Sequence, residues 1–559
     1  MPRSLTMLMF LCLTACGGGS GDGGGPGSSS GTPVTVGPSQ PSGPSEQDYS
    51  DAALMLDLTT FGPTYAEVEL VAAQGVAAYL NSQFQQPLGL HEPIVRRYIQ
   101  EYGAELDNGP PSPVLYRRFA FFEQALTAED QLRQLTAYAL TQIFVVSQTG
   151  PLQNNPLALS NYYDTLLTHS FGNFRDLLLA VTLHPAMGFY LSHVNNAKTD
   201  LEANTFPDEN YAREVMQLFT IGLFELNPDG TQKLDGAGRP IPTYDNDDIQ
   251  EFAKIFTGLS YGSTPYSESL FFGKNRPALD TPMVMFDDFH EPGEKYLLNG
   301  LVVPAGQTGM EDVEMAVDNL FNHPNTGPFI GRQLIQRLVT SNPSPEYVAR
   351  VAAAFADDGS GQRGNMETLL RAILTDPEVA QASRVREPFR RFLAANRSLH
   401  AAPEDNVTYG GTGNLAEALT GQFVLHAPSV FNFYSPFYRP PGGQGAISPE
   451  MQITNEDTAV GVINLMASIL YSRQSIRSAQ TLPEITIDLS EFEALVTDTS
   501  GFLQRAERLF FAGSMPQSTR QIVSNALSQA AALPALDRAK LALYLSLISP
   551  EQAATGGES

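Results

Sequence analysis

A chain of 559 residues is too long for a small scaffold; it has room for two to four ordinary domains, or for one helical body sharing a continuous core. Its 33 Lys and Arg against 60 Asp and Glu leave a formal charge of −27, which argues against nucleic acid or anionic lipid heads, because both need clustered basic residues. Such an acidic balance suits solubility in a salty or extracytoplasmic medium, a metal cation, or a neutral substrate.

In chain order, the first signal is Arg3 followed by the apolar run Leu5 to Leu13, too short to span a bilayer but suited to a signal-peptide core. Leu13-Thr14-Ala15-Cys16 then resembles the lipobox of bacterial lipoproteins. Residues 1–15 are therefore expected to be a signal peptide and Cys16 the lipidated N-terminus, giving membrane attachment through acyl chains. The expected location is the bacterial cell envelope, at the outer membrane or cell surface. Removal of Cys12 with the signal would leave no disulfide and no thiolate metal site, so the core alone must hold the fold. Residues 16–47, beyond Cys16 almost entirely Gly, Ser, Pro and Thr, read as a tether, since they bury too little apolar surface to offset their ordering entropy. The body is expected at 48–559.

From Asp51 onward the pattern is helical. Ala66, Leu70, Ala73 and Ala77 recur at helix spacing, and Asp130 to Val146 is apolar enough to be buried on most sides. Four stretches, Ser344-Pro345-Glu346, Asp376-Pro377-Glu378, Ser448-Pro449-Glu450 and Ser549-Pro550-Glu551, read as helix starts. In each, an oxygen can cap, Pro loses no needed N–H, and Glu faces the positive helix end. They share no sequence repeat of the solenoid kind. β structure is expected only as inserts: Asn299-Gly300 between the apolar runs of residues 295–303, and the turns Asn227–Gly230 and Asp235–Gly238, with helix resuming near Asp247 or Asp248. The fold class is thus mainly α, a multi-helix array around one large core with short β-hairpin insertions.

Five places in the chain are weighed for chemistry. In DENYAREVMQLFTIG, residues 208–222, helical phase puts Glu209, Asn210, Arg213, Glu214, Gln217 and Thr220 in one sector and Tyr211, Val215, Leu218, Phe219 and Gly222 in the other. That face is either a solvated surface or a site in which Glu209 or Glu214 acts as base or metal ligand, steered by Arg213. In FDDFHEPGEK, residues 286–295, Asp287, Asp288, His290 and Glu291 offer four ligands for a divalent metal ion, with Lys295 as counter-ion; if the segment is extended they do not all share a face. His184, before Pro185, is a further candidate ligand or a helix cap, and His193 lies half a turn out of phase with it. Gly258-Leu259-Ser260-Tyr261-Gly262 matches a nucleophile elbow by letter only, because a helix rather than a strand leads into it. Lastly, VFNFYSPFYRPPGG crowds Phe431, Phe433, Tyr434, Phe437 and Tyr438 beside Arg439. Phe433, Tyr434, Tyr438 and Arg439 could form a platform for sugar faces; the plainer reading is a loop pinned to the body by its rings.

The same stretches carry a resemblance. TTFGPTYAEVELVAAQG, DQLRQLTAYALTQIFVVS, YYDTLLTHSFGNFRDLLLAVTLHPAMGFYLSH, PDENYAREVMQLFTIGL, FDDFHEPGEK, HPNTGPFIGRQLIQRLV and APSVFNFYSPFYRPPG are similar to the bacterial family named domain of unknown function 1800, from about residue 51 almost to the C-terminus. The resemblance implies a secreted or envelope protein working with an exported partner that looks like the sulfatase and alkaline-phosphatase group, acting on a polysaccharide or other surface polymer. It supplies no catalytic residues to carry over. Glu291-Pro292 departs from the family, where an Asp and a small residue commonly follow the His, and no Trp follows Thr257-Gly258.

Two functions stay open. An enzyme would bring Glu209, Arg213, Glu214, His184 and His290 around one cleft, with a divalent cation as the cofactor to test. A non-catalytic assembly or binding module at the cell surface would use the same residues as buried pairs and caps.

Overall fold

The computed structural model describes residues 43–103, 113–150, 152–262, 271, 279–409, 413–442, 445–472 and 483–555. The expected signal peptide, Cys16 and most of the expected tether lie outside the described residues. The first described helix, Glu46–Thr59, begins inside the expected tether because Ser45 and Asp48 cap each other's backbone N–H groups in a capping box.

The described chain is mainly helical, and its strands are two-residue antiparallel pairs. Core aromatics drawn from far along the sequence meet edge to face: Phe61 with Tyr138 at 5.7 Å, Phe122 with Phe392 at 5.9 Å, Phe389 with Phe423 at 5.1 Å. One apolar cluster runs from Ala52 to Leu547, with a small satellite around Tyr98 and Tyr116. The helices of residues 44–555 therefore bury their faces against a shared interior rather than in separate domains.

The helix Gln131–Thr141 lies at the middle of this interior with every residue buried, as its composition foretold. Its polar side chains survive there by bonding backbone: Gln134 Nε2 donates to Gly89 O at 2.7 Å and Thr136 Oγ1 to Leu132 O at 2.7 Å. The expected Ala66, Leu70, Ala73, Ala77 stripe is helical but faces solvent. Gly75 (φ 85) divides it into Tyr65–Gln74 and Val76–Phe84, whose buried faces are Val68, Val71 and Ala72, then Tyr79, Leu80 and Phe84.

Of the four expected Pro-Glu helix starts, only Pro345–Ala356 is an α-helix, with Ser344 Oγ accepting from Tyr347 N at 3.0 Å. The others are single 3-10 turns, Pro377–Gln381, Pro449–Ile453 and Pro550–Ala553. For two of them the cause is tertiary: the residues just downstream are taken into the antiparallel pair Arg384–Val385 with Ala554–Thr555, so the helix cannot propagate. The inserts form as expected. Lys295–Tyr296 pairs with Val302–Val303 around Asn299 (φ 59) and Gly300 (φ 73). Residues 223–243 fold back twice, at Asn227–Gly230 and Asp235–Gly238, into a three-stretch ribbon held by Lys233 N to Glu225 O and Ile241 N to Lys233 O. The following helix, Asn246–Ile255, is capped by Asp245.

Candidate functional site

The charged helix of the DENYARE stretch spans Asn210–Gln217. Glu209 and Arg213 pair at 3.2 Å, both half-exposed. Glu214 instead points inward: it is buried, and its Oε2 finds no hydrogen-bond partner among the described residues. Burial pushes its pKa up, against the pull of Arg213. After Gln217 the helix loosens, with Phe219 N bonding Glu214 O and Gly222 N bonding Met216 O. The phase shifts there, which is why Thr220, expected on the wet face, is fully buried and donates to Val215 O at 2.5 Å.

In the second stretch, Asp287–Phe289 is a 3-10 turn rather than extended chain. Its turn sends His290 into the core and leaves Asp288 outside. His290 Nδ1–H donates to Thr257 O at 2.9 Å, while Nε2 lies 3.1 Å from Lys295 Nζ and 2.9 Å from Asp312 Oδ2. Lys295 also donates to Asp312 Oδ2 and to Glu291 O. Burial raises the Asp312 carboxyl pKa, but hydrogen bonds with His290, Lys295 and Gln307 outweigh it and hold the group below its usual value. The ammonium thus occupies the cation position beside His290 and Asp312 that a divalent ion would take. Glu291 turns away and accepts from Thr199 N at 3.1 Å.

His184 is a buried N-cap: Nδ1 accepts from Ala186 N at 3.1 Å and Nε2–H donates to Asn161 Oδ1 at 2.9 Å. Burial pushes its pKa down to about 3, so it stays a neutral hydrogen-bonding ring. His193 stacks on Tyr211 at 3.9 Å and donates to Thr182 O at 2.9 Å; burial pushes its pKa down to about 4. The residues assigned from sequence to catalysis and metal binding thus sit in different local settings: Glu209 paired with Arg213, Glu214 buried with its Oε2 unpaired among the described residues, His184 at its cap, His290 in the buried Lys-Asp cluster, Asp288 exposed, and Glu291 on the Thr199 N–H. Among the described residues no three His, Cys, Asp or Glu side chains are grouped as a metal ion would require. Ser260 is buried and donates to Asn195 Oδ1 at 2.9 Å.

What the fold does build is a cavity of about 660 Å³, the size of a small-molecule or oligomer-segment site. One wall is the loosened end of the DENYARE helix with the start of the ribbon, Gln217 to Leu226. A second is the helix Thr326–Leu338, through Phe329, Arg332, Gln333 and Arg337. The aromatic loop closes the third side with Phe431, Asn432, Tyr434, Phe437 and Arg439. Of the four aromatic-loop residues singled out from sequence, Tyr434 and Arg439 line this cavity and Phe433 and Tyr438 do not. Phe431 and Phe437, more than half exposed, supply the rings at the rim instead.

The deep end rests on a fixed polar base. The buried Glu387 carboxylate accepts from Gln142 Nε2 at 2.8 Å, from Gln422 Nε2 at 3.0 Å, and from the Tyr138 and Tyr434 hydroxyls. Burial and the Glu387 charge push the Tyr434 phenol far above its usual pKa, so it remains a donor. Arg337 is locked by donating to Gln142 O at 2.9 Å and Gln333 O at 3.2 Å. Glu450, also buried, carries a pKa pushed up to about 7 by desolvation, despite the nearby Arg384. Nothing in periodicity marks Arg332, Gln333 or Glu387 as partners of the aromatic loop. The available signals were the density of rings in that loop and the charged DENYARE stretch, whose last residues make a second wall; neither pointed to the third.

Fold and cavity together define a mainly helical, single-core protein with a preformed ligand-sized hollow. A family model described as Protein of unknown function (DUF1800) matches residues 54–553, nearly the whole chain, and the protein belongs to that family. No curated protein and no solved structure matches it.

Proposed function

We propose that the protein is a lipid-anchored, extracytoplasmic binding module that seats a segment of an envelope or environmental polymer in the cavity between the aromatic loop and the helix Thr326–Leu338. A secreted sulfatase- or phosphatase-like partner would act on the polymer so held. The observation carrying this reading is the rim: Phe431, Phe437 and Leu223 leave large apolar faces in water around one hollow, the arrangement that stacks on sugar rings. Anchoring rests on Arg3, the run Leu5 to Leu13 and Cys16, and the partner on the family resemblance. The rival enzyme reading has less support, because Glu209, Arg213, Glu214, His184 and His290 occupy separate settings, two of them with all their polar atoms locally engaged.

The test is affinity electrophoresis of the full chain through gels containing polysaccharides. Retardation that weakens at least tenfold in Phe431→Ala/Phe437→Ala supports the reading; mobility unchanged by every polymer overturns it. Incorporation of labelled palmitate that vanishes in Cys16→Ala tests the anchor separately.

A further inference from the structure

We infer that the cavity is an acidic-group site: it takes a sulfate or carboxylate of its polymer between Arg332 and Arg439, with Gln333 and Asn432 donating to the same oxygens. This deepens the polymer-binding reading and rests on it.

The charge distribution is the first ground. In a chain of formal charge −27, no Asp or Glu is among the described residues lining this hollow, whereas three arginines are, of which Arg337 already feels the buried charges of Glu387 and Glu450. Arg332 is largely buried over the Phe437 ring, its guanidinium 5.5 Å from the centroid. Desolvation lowers its pKa and the charge of Arg439 lowers it further, with no carboxylate offsetting either effect. Two like charges held together in a partly dry hollow are a cost that a bound oxyanion removes, and the flat guanidinium edge matches two anion oxygens at once.

The second ground is independent of charge. Among the described residues, two side-chain amide nitrogens are buried with no acceptor, Gln333 Nε2 and Asn432 Nδ2, and both residues line this cavity. Each residue is more than nine-tenths buried. Buried donors are nearly always paired in native proteins; these two nitrogens are unpaired and sealed from water in the walls of one hollow, and a turn of each amide toward the hollow would let oxygens supplied from outside the chain pair them. Cation and amide donors in one place, with rings at the rim, describe an acidic saccharide better than a neutral one.

The experiment compares gels containing dextran, dextran sulfate or polygalacturonate, and adds calorimetric titration of the full chain with sodium sulfate. The strongly negative surface repels polyanions elsewhere, so retardation by them reports this cavity. The expected result is retardation by one or both acidic polymers but not by dextran. It should weaken at least tenfold in Arg332→Gln and in Arg439→Gln, and fall as salt is raised. Arg439 is exposed, so that variant folds even if Arg332→Gln does not. Gln333→Leu, with an unchanged melting temperature, should weaken it too. Dextran retarding as strongly as the acidic polymers, or arginine variants binding like the native chain, overturns the acidic-group site and leaves the polymer-binding reading standing. Sulfate binding that depends on Arg332 with no polymer retarded upholds the anion site and overturns the polymer reading. Neither sulfate nor polymer bound overturns both.

Discussion

Lys295 and Asp312 form an ion pair sealed from solvent, each only 1 % exposed, with the His290 imidazole against both. The pair ties the Lys295–Tyr296 strand to the helix Gly309–Asn322, and through His290 to the end of the helix Asn246–Ile255 at Thr257. Removing one partner strands the other charge in the core. Lys295→Met or Asp312→Asn should therefore lower stability by about 3–5 kcal/mol, read as a shift in the urea midpoint that changes little with salt.

Glu209 and Arg213 provide the contrast. Their contact is of the i, i+4 kind and half-open to water, so Arg213→Ala should cost no more than about 0.5 kcal/mol and lose even that at high salt. A loss of several kcal/mol in urea titration would show that this pair supports the fold.

The base of the cavity depends on the donors around Glu387. Tyr434→Phe keeps the ring and deletes one hydrogen bond to a buried carboxylate, so it should destabilise by about 1.5–3 kcal/mol. Tyr138→Phe acts on the same group. The double variant should therefore depart from additivity, as a double-mutant cycle by chemical denaturation would record.

The pH profile has two limbs of opposite sign. His91, His184 and His193 have pKa values pushed by burial to about 4, 3 and 4, below the ordinary 6.5. As pH falls below 6.5 the unfolded chain takes up protons the folded chain refuses, so stability should fall toward pH 4. Glu450 and Asp164 are raised by burial to about 7 from ordinary values of 4.5 and 3.8. Their contribution is fully present below those ordinary values and is lost as pH rises through about 7. Melting curves from pH 4.5 to 8.5 should show both limbs, with His184→Asn, which can still cap, flattening the acid one and Glu450→Gln the neutral one.

Gly222 marks where the helix hands over to the ribbon at the cavity wall. Its φ of 72 and the Phe329 ring, 2.7 Å from where a Cβ would sit, both oppose a side chain. Gly222→Ala should cost at least about 1–2 kcal/mol from backbone strain alone. By displacing Phe329 it should also weaken whatever ligand the cavity holds, seen as a lower melting temperature and reduced polymer retardation.

Local chemistry was legible wherever it acts over a few residues. Asn299-Gly300, Asp235–Gly238 and Ser344 set their turns and cap through backbone geometry that neighbouring segments leave alone. Legibility failed where a distant segment competes. Pro377 and Pro550 begin turns that a long-range strand pair stops, and Glu214 sits on the charged side of its helix yet is buried once the body closes over it. The aromatic loop and the end of the DENYARE stretch, Gln217 to Gly222, were both singled out in the sequence, but nothing local said that they meet, and the wall made by residues 329–337 carried no chemical signal of its own.

The helical class, the hairpin inserts and the family follow from contiguous chain, because periodicity, turn residues and long motifs are local properties. Which ionisable groups meet depends on how distant segments pack. That packing set His290 against Asp312, 22 residues on, and buried Glu214 with its Oε2 unpaired among the described residues; it also put Arg332 with Arg439 in a hollow whose described lining residues include no Asp or Glu. The reason is that Coulombic and desolvation energies depend on distance and burial, which sequence separation does not encode.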